Sequence, residues 1–529
     1  MIQALLLLLL LALAVIAALI QVEALPELSR AATRWWAAAG MLLTYLTWCF
    51  LLLSKRRRSQ RGEHASPEPA GTTWLLAYAS QTGTAVEIAQ RSAAALRGAG
   101  QAVDLRDLGS VNTDDLRRAS RALFVVATTG EGEAPESAQA FVHRVMAQAQ
   151  PLPQLRSAVL ALGDREYPQF CAFGHALQAW LQQAGSQVLQ PLIEVDAGEP
   201  VALARWHTLL QSLAGKQAIE LVATPRFERW TLEQRVVMNP GSLGLPIHLL
   251  RLRPTSAIAP WQPGAIATIK LQQDRARVRA WLEALVAQGA DYSADQWQML
   301  QRQAQLCRLP STASCRGLPF ADLIVLLLPL PQRNYSIAST AADGVIDLLL
   351  RETRTPQGEL GLGAAWLCQA CAIGETVDLH VRENRQFGLP PDSAPLILIG
   401  AGTGIAGLRA LLRGRMQRGS RPNWLIFGER QRSRDALFDT ELQAALQSGG
   451  LQHLDQVYSR DGGEIRHVQD LLAAQAQRLC QWIEQGAHLR ICGSADTMGK
   501  AVDQQLQALL GSAALAALTA EGRCRKDVY

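Results

Sequence analysis

Two long apolar runs open the chain, and then its pattern changes. From Ala4 to Ile20 nearly every residue is Leu, Ala, Ile or Val. A second run from Trp35 to Leu53 follows a polar connection holding Glu23, Pro26, Glu27, Arg30 and Arg34. Each run is close to the roughly 20 residues that a helix needs to cross a bilayer. Residues 1–54 are therefore expected to form two transmembrane helices, with Trp35, Trp36, Tyr45 and Trp48 in the interface zones. A cleaved signal peptide is the alternative for the first run, although no Lys or Arg precedes it. The basic run Lys55 to Arg58, with Arg61, favours a cytoplasmic side for the rest. The expected placement is a bacterial-type inner membrane, with lipid around the helices and soluble domains in the cytoplasm. Residues 55–71 read as a linker, charged and then rich in Ser, Pro, Glu and Gly. Beyond it, short apolar runs alternate with helical periodicity, the pattern of an α/β protein.

Three strand ends in the next stretch carry chemistry. Thr73 to Ala79 reads as a buried strand, runs into Ser80-Gln81-Thr82-Gly83-Thr84, and a helical pattern opens at Ala85. Loop hydroxyls and backbone N–H groups then face the same place as a helix N-terminus, which suits an anion. No Lys follows Gly83, so the loop differs from the nucleoside-triphosphate type and suits a phosphate that is held and not transferred. An ordinary strand-to-helix turn is the plainer alternative. Leu123 to Ala127 leads into Thr128-Thr129-Gly130-Glu131-Gly132, and Val159 to Leu162 into Gly163-Asp164-Arg165-Glu166-Tyr167, with Phe170 beyond. Doubly wound sheets bind ligands outside such strand ends. Tyr167 can lie flat against a planar ring.

These three loops, in this order, resemble the flavodoxin-like FMN domain of the NADPH-dependent diflavin reductases. Glu131, Glu133 and Glu136 either present negative charge near the flavin edge or form a solvated acidic loop. The resemblance continues downstream. Arg226 to Asn239 and Ile247 to Thr255 read as strands of a β-rich region, and 274–308 as one helical insertion. Arg333 offers a planar fork for a pyrophosphate, and Tyr335 shares its strand face. With Ser336 they resemble the family's R-x-Y-S signature for FAD. Gly361, Gly363, Ala364 and Ala365 resemble its Gly-rich helix start, with Ala where the family has Ser or Thr. Cys368 and Cys371 read as helix packing, with redox or metal roles as alternatives.

A buried strand from Ala394 to Ile399 leads to Gly400-Ala401-Gly402-Thr403-Gly404 and a helix from Gly407 to Arg415. This resembles the family's NADP pyrophosphate loop. Ser459, Arg460, Arg466 and Gln469 fall where the family holds the 2′-phosphate and adenine, although Ile465 and His467 replace its Lys and Tyr. Cys492 resembles the Cys beside the nicotinamide, Asp527 an acidic residue assigned to hydride transfer, and Tyr529 the terminal ring that covers FAD. Ser336, Cys492, Asp527 and Tyr529 are the candidate catalytic set.

Composition narrows the picture. With 49% hydrophobic and 18% charged residues, the chain is not mainly disordered. A net charge of +5 sits largely in the run after residue 54, which argues against a nucleic-acid binder. Nine scattered cysteines do not make a disulfide scaffold.

The resemblance implies an α/β multidomain fold after the N-terminal helices: a flavodoxin-like FMN domain over 72–215, a β-barrel FAD domain with a helical insertion over 222–390, and a Rossmann-like NADP domain over 391–529. It implies FMN, FAD and NADPH as cofactors, and electron transfer to a haem protein or a sulfite reductase haemoprotein. Ferric-complex reduction and a redox-inactive membrane scaffold are the alternatives. No haem or iron–sulfur ligand set stands out, so sulfite reduction would need a partner protein.

Overall fold

The structure is a computed structural model that describes residues 73–529, except 81–82, 130–131, 149–150, 166–168, 197, 215–225, 356–357 and 421. The expected transmembrane helices and the linker lie outside the described residues. Among the described residues, no helix is long and apolar enough to cross a membrane.

Three sheets organise the described chain. The first holds β1 (Trp74–Ala79), β2 (Val103–Asp107), β3 (Arg121–Ala127), β4 (Arg156–Gly163), β5 (Gln187–Val188) and β6 (Ile193–Asp196). Its order is β2-β1-β3-β4-β5, with β6 also on β4, and every pairing is parallel. A parallel sheet needs helices on both faces, so its strands are apolar on both sides. Leu76, Leu123, Val125 and Leu160 pack toward one face, and Ala77, Phe124, Val126 and Val159 toward the other. Helices α1 (Thr84–Gly98) and α2 (Ala172–Gln183) supply the covering layers.

The second sheet is antiparallel. It holds β7 (Glu228–Val237), β8 (Ile247–Pro254), β9 (Ile266–Lys270), β10 (Gln332–Ser336), β11 (Ile346–Arg351) and β12 (Thr376–Arg382), in the order β10-β9-β12-β7-β8-β11. A bridge from Ile337 to Leu348 brings its two ends together, so the sheet closes into a barrel. Trp230, Leu250, Ile269 and Leu348 fill the core. Cys368 and Cys371 pack there too, and burial pushes both thiols up to about 12.

The helix expected over 274–308 is two, α3 (Arg275–Ala287) and α4 (Ala294–Leu306). Gly289 takes a positive φ of 87°, and Ser293 then opens a capping box with Gln296. A left-handed glycine followed by a capping serine ends one helix and starts another.

The third sheet, again parallel, holds β13 (Leu396–Ala401), β14 (Asn423–Glu429), β15 (His453–Tyr458), β16 (His488–Gly493) and β17 (Cys524–Val528), in the order β15-β14-β13-β16-β17. Strand order reverses between β1 and β3 in the first sheet, and between β13 and β16 in the third. Such reversals open a crevice at the strand ends. Helix α5 (Ile405–Gln417) follows the glycine turn after β13, starting before the expected Gly407.

Candidate functional site

Ser80 leaves β1 and is almost fully buried. Its hydroxyl accepts from the backbone N–H groups of Gly83 at 2.8 Å and Ala85 at 3.3 Å, which shapes the turn into α1. Gly83 has a φ of 88° and caps the helix that begins at Thr84, a conformation that favours glycine. After β3, Thr128 donates its N–H to Leu162 at 3.0 Å, and Thr129 closes a small turn with Glu133. The Thr128 hydroxyl is buried with no hydrogen-bond partner among the described residues, so an acceptor or donor is wanted there. A Cβ on Gly132 would lie 2.8 Å from Gln169, so the second and third loops touch. Gly163 would likewise strike the Cys171 backbone N at 2.8 Å. Arg165 lies over the Phe170 ring at 4.5 Å. These strand-end loops fit an FMN phosphate and ring. Gln81, Thr82, Gly130 and Tyr167 lie outside the described residues.

A cavity of about 820 Å³ opens between the barrel and the third sheet. From the barrel it is lined by Arg333, Tyr335, Ser336, Gly361, Gly363 and Ala364. Gly363 packs against the Tyr335 hydroxyl, which would lie 2.4 Å from any Cβ there. Ala365 donates its N–H to the Gly361 carbonyl within the helix that follows, and does not line the cavity. From the third sheet come Gly402, Thr403, Ser459, Arg466, Gln469 and Tyr529. Gly404 lies just behind: a Cβ there would be 2.1 Å from the Cys492 carbonyl oxygen. Arg460 does not line the cavity, although its backbone N–H donates to the Arg430 carbonyl at 2.8 Å. The cavity has the volume of a small-molecule site, and its glycines let a ligand approach the backbone.

At the inner end the candidate catalytic set comes together. Parallel pairing of β16 with β17 places Cys492 opposite Asp527. The Cys492 Sγ is 3.9 Å from Asp527 Oδ2, and Ser336 at the end of β10 donates its hydroxyl to the same oxygen at 2.7 Å. Burial raises the Asp527 carboxyl, while the Ser336 hydrogen bond and Arg382 pull it back. Burial also holds Cys492 well above the usual thiol range, so it stays a neutral thiol. Cys492 is fully buried behind Asp527 and does not line the cavity. Tyr529 donates its backbone N–H to Gly493, and its ring hydroxyl meets that of Thr403 at 2.8 Å.

Two arginines belong here that the motifs do not mark, Arg351 and Arg382, beside Glu429 and Arg430 of the expected strand and nucleotide-facing loop over Trp424 to Arg430. Arg351 ends β11 and pairs with Glu429 at the end of β14, and both line the cavity. Arg351 Nη1 is buried with no hydrogen-bond partner among the described residues. Arg430 lines the same wall. Arg382, nearly buried, reaches the FMN side: a Cβ on Gly83 would lie 3.2 Å from its Nη1. Each of the four ends, or directly follows, a strand, and that position is the available signal. Arg333 Nη1 meets Asp164 Oδ2 at 2.8 Å, so the candidate FAD arginine also touches the third FMN loop.

Comparison with known proteins agrees with this geometry. The Flavodoxin family matches residues 76–205, and the Oxidoreductase NAD-binding domain family matches residues 398–504. The sulfite reductase (NADPH) flavoprotein alpha-component of Shewanella sp. strain ANA-3 is 30% identical over 550 residues, covering 88% of this chain and 91% of the relative. That of Vibrio cholerae serotype O1 is 29% identical, covering 82% of each chain. That of Neisseria meningitidis serogroup A is 27% identical, covering 87% of this chain and 90% of the relative. The expected localisation is corrected by these findings. The relatives are flavoprotein components of sulfite reductase, and no described helix is long and apolar enough to cross a membrane, so placement at an inner membrane with lipid as a partner is not upheld. The chain belongs to the sulfite reductase flavoprotein alpha-component family, and is an NADPH-dependent diflavin oxidoreductase with FMN, FAD and NADPH as its cofactors.

Proposed function

We propose that this chain passes electrons from NADPH to a sulfite reductase haemoprotein. The carrying observation is the cluster of Ser336, Asp527 and Cys492 at the inner end of a cavity lined from both the barrel and the third sheet. The names of the relatives support the choice of acceptor. FAD and FMN, when bound, supply the chemistry that turns a two-electron donor into a one-electron source.

The protein's part is position and electrostatics. Arg333 and the backbone around Gly361 and Gly363 would hold the FAD pyrophosphate, and Tyr335 would pack against its ring system. Gly402, Thr403 and the start of α5 receive the NADPH pyrophosphate. Ser459, Arg466 and Gln469 face the adenosine end, where the charge of Arg466 favours a 2′-phosphate. Tyr529, which lines the cavity and meets Thr403, would shield a bound flavin and would have to move to admit a nicotinamide. Ser336 and Asp527 hold a hydrogen-bonded pair at the reacting end, with the Cys492 thiol behind them. Ser80, Gly83, Thr84 and the loops at Thr128 and Gly163 hold FMN.

The test combines the full chain, NADPH and a purified sirohaem-containing sulfite reductase haemoprotein, and follows sulfide formation. NADPH-dependent sulfide production supports the reading. Fast NADPH oxidation with a generic one-electron acceptor, but no sulfide, would assign the chain a different acceptor.

A further inference from the structure

The pair Asp164–Arg333 joins residues that the motif reading gives to two different flavins. Asp164 follows β4 in the loop expected to face FMN, and Arg333 lies on β10 in the signature expected to hold FAD. Their side chains retain only 21% and 15% of their exposure, and the ion pair spans 2.8 Å. A half-sheltered arginine–carboxylate contact fixes geometry better than a solvated pair does. The same Nη1 lies 3.3 Å from the Gln332 carbonyl oxygen, while the arginine lines the FAD side of the cavity. The seam between the two sheets has further contacts nearby. Asp196, at the end of β6, lies 3.8 Å from Arg308, and a Cβ on Gly198 would lie 3.7 Å from Gln332 Oε1.

We propose that Asp164 is a positioning residue for FAD: it orients the Arg333 guanidinium toward the cavity, so FAD binding and seating of the first sheet on the barrel are coupled through one arginine. This rests on the reading of Arg333 as an FAD ligand. A planar guanidinium presents separate edges, so one amino group on Asp164 aims the remaining edge. Coupling is reciprocal: whatever factor Asp164 adds to FAD affinity, FAD adds to the seating of the first sheet.

The experiment measures the FAD dissociation constant of the full chain from recovery of free-FAD fluorescence on dilution. The variants are Asp164→Asn, Asp164→Glu, Arg333→Lys, the Asp164→Asn/Arg333→Lys pair, and Asp196→Asn. Asp164→Asn should weaken FAD by about fivefold, the lower range for coupled sites. Asp164→Glu should restore most of it. The double variant should be no weaker than Arg333→Lys alone, because the aspartate acts through the arginine. Asp196 lies near Arg308 and accepts the Arg165 backbone N–H at 3.0 Å without touching Arg333, so Asp196→Asn should cost FAD clearly less than Asp164→Asn does. FAD affinity unchanged in Asp164→Asn, additive losses in the double variant, or an equal loss in Asp196→Asn would each overturn the positioning role. An unmutated chain that binds no FAD would overturn the FAD reading itself, and the coupling with it.

Discussion

Asp527 shows how much of the site depends on single atoms. Its Oδ2 takes the Ser336 hydroxyl at 2.7 Å and faces the Cys492 thiol at 3.9 Å. A hydrogen bond to a buried carboxyl contributes about 1.5–3 kcal/mol when the carboxyl is charged. Ser336→Ala should therefore slow flavin reduction by NADPH by about tenfold or more, read by stopped-flow bleaching of the flavin band, with FAD content unchanged. An unaltered rate would remove Ser336 from the reacting end. The residues of this cluster were legible because each sits in a motif: R-x-Y-S, C-G, and a terminal D-V-Y. Glu429 and Arg430 fall in the expected nucleotide-facing loop, but Arg351 and Arg382 belong to no motif. Their partners lie on other sheets, and no spacing rule connects Arg351 to Glu429 across 78 positions. The Asp164–Arg333 contact, 169 positions apart, is further still from any local pattern.

The elements carry the site through their ends. β1, β3 and β4 each run out of a buried apolar core into a polar loop, and β13 does the same ahead of α5. That sequence of strand, glycine-rich turn and helix is visible in the residue pattern, so these strands and their loops were expected within a few residues. The helical insertion was less legible. Ala, Leu, Gln and Arg continue on both sides of Gly289, and only the positive φ there and the Ser293 cap divide α3 from α4. The turn after β13 tolerates no side chain at its third glycine. Gly404→Ala would place a methyl group 2.1 Å from the Cys492 carbonyl oxygen, which β16 holds in place. Overpacking of this kind costs about 1–3 kcal/mol. The expected result is a lower Tm together with a raised KM for NADPH. Wild-type values for both would show that the turn can relax.

At the scale of the molecule, two parallel sheets flank a closed barrel, and charged contacts cross between them. Asp164 meets Arg333, Asp196 lies near Arg308, and Glu133 lies 3.2 Å from Lys500. In each pair the acid belongs to the strand ends and loops of the first sheet and the base to the remainder of the chain. These contacts hold the loops of the first sheet against the rest of the chain, where a flavin bound at those loops would receive electrons. The apolar N-terminal runs carry the expectation of a membrane placement; they lie outside the described residues, and the relatives, which are flavoprotein components of sulfite reductase, do not uphold it. Hydropathy reports what a segment tolerates, and the family assignment rests on the nucleotide loops instead. The most direct test of the account is steady-state reduction of a one-electron haem-protein acceptor by the full chain, with FMN and FAD supplied, comparing NADPH with NADH. The account predicts rapid turnover with a clear preference for NADPH. Absence of turnover, or equal rates with both nucleotides, would contradict it.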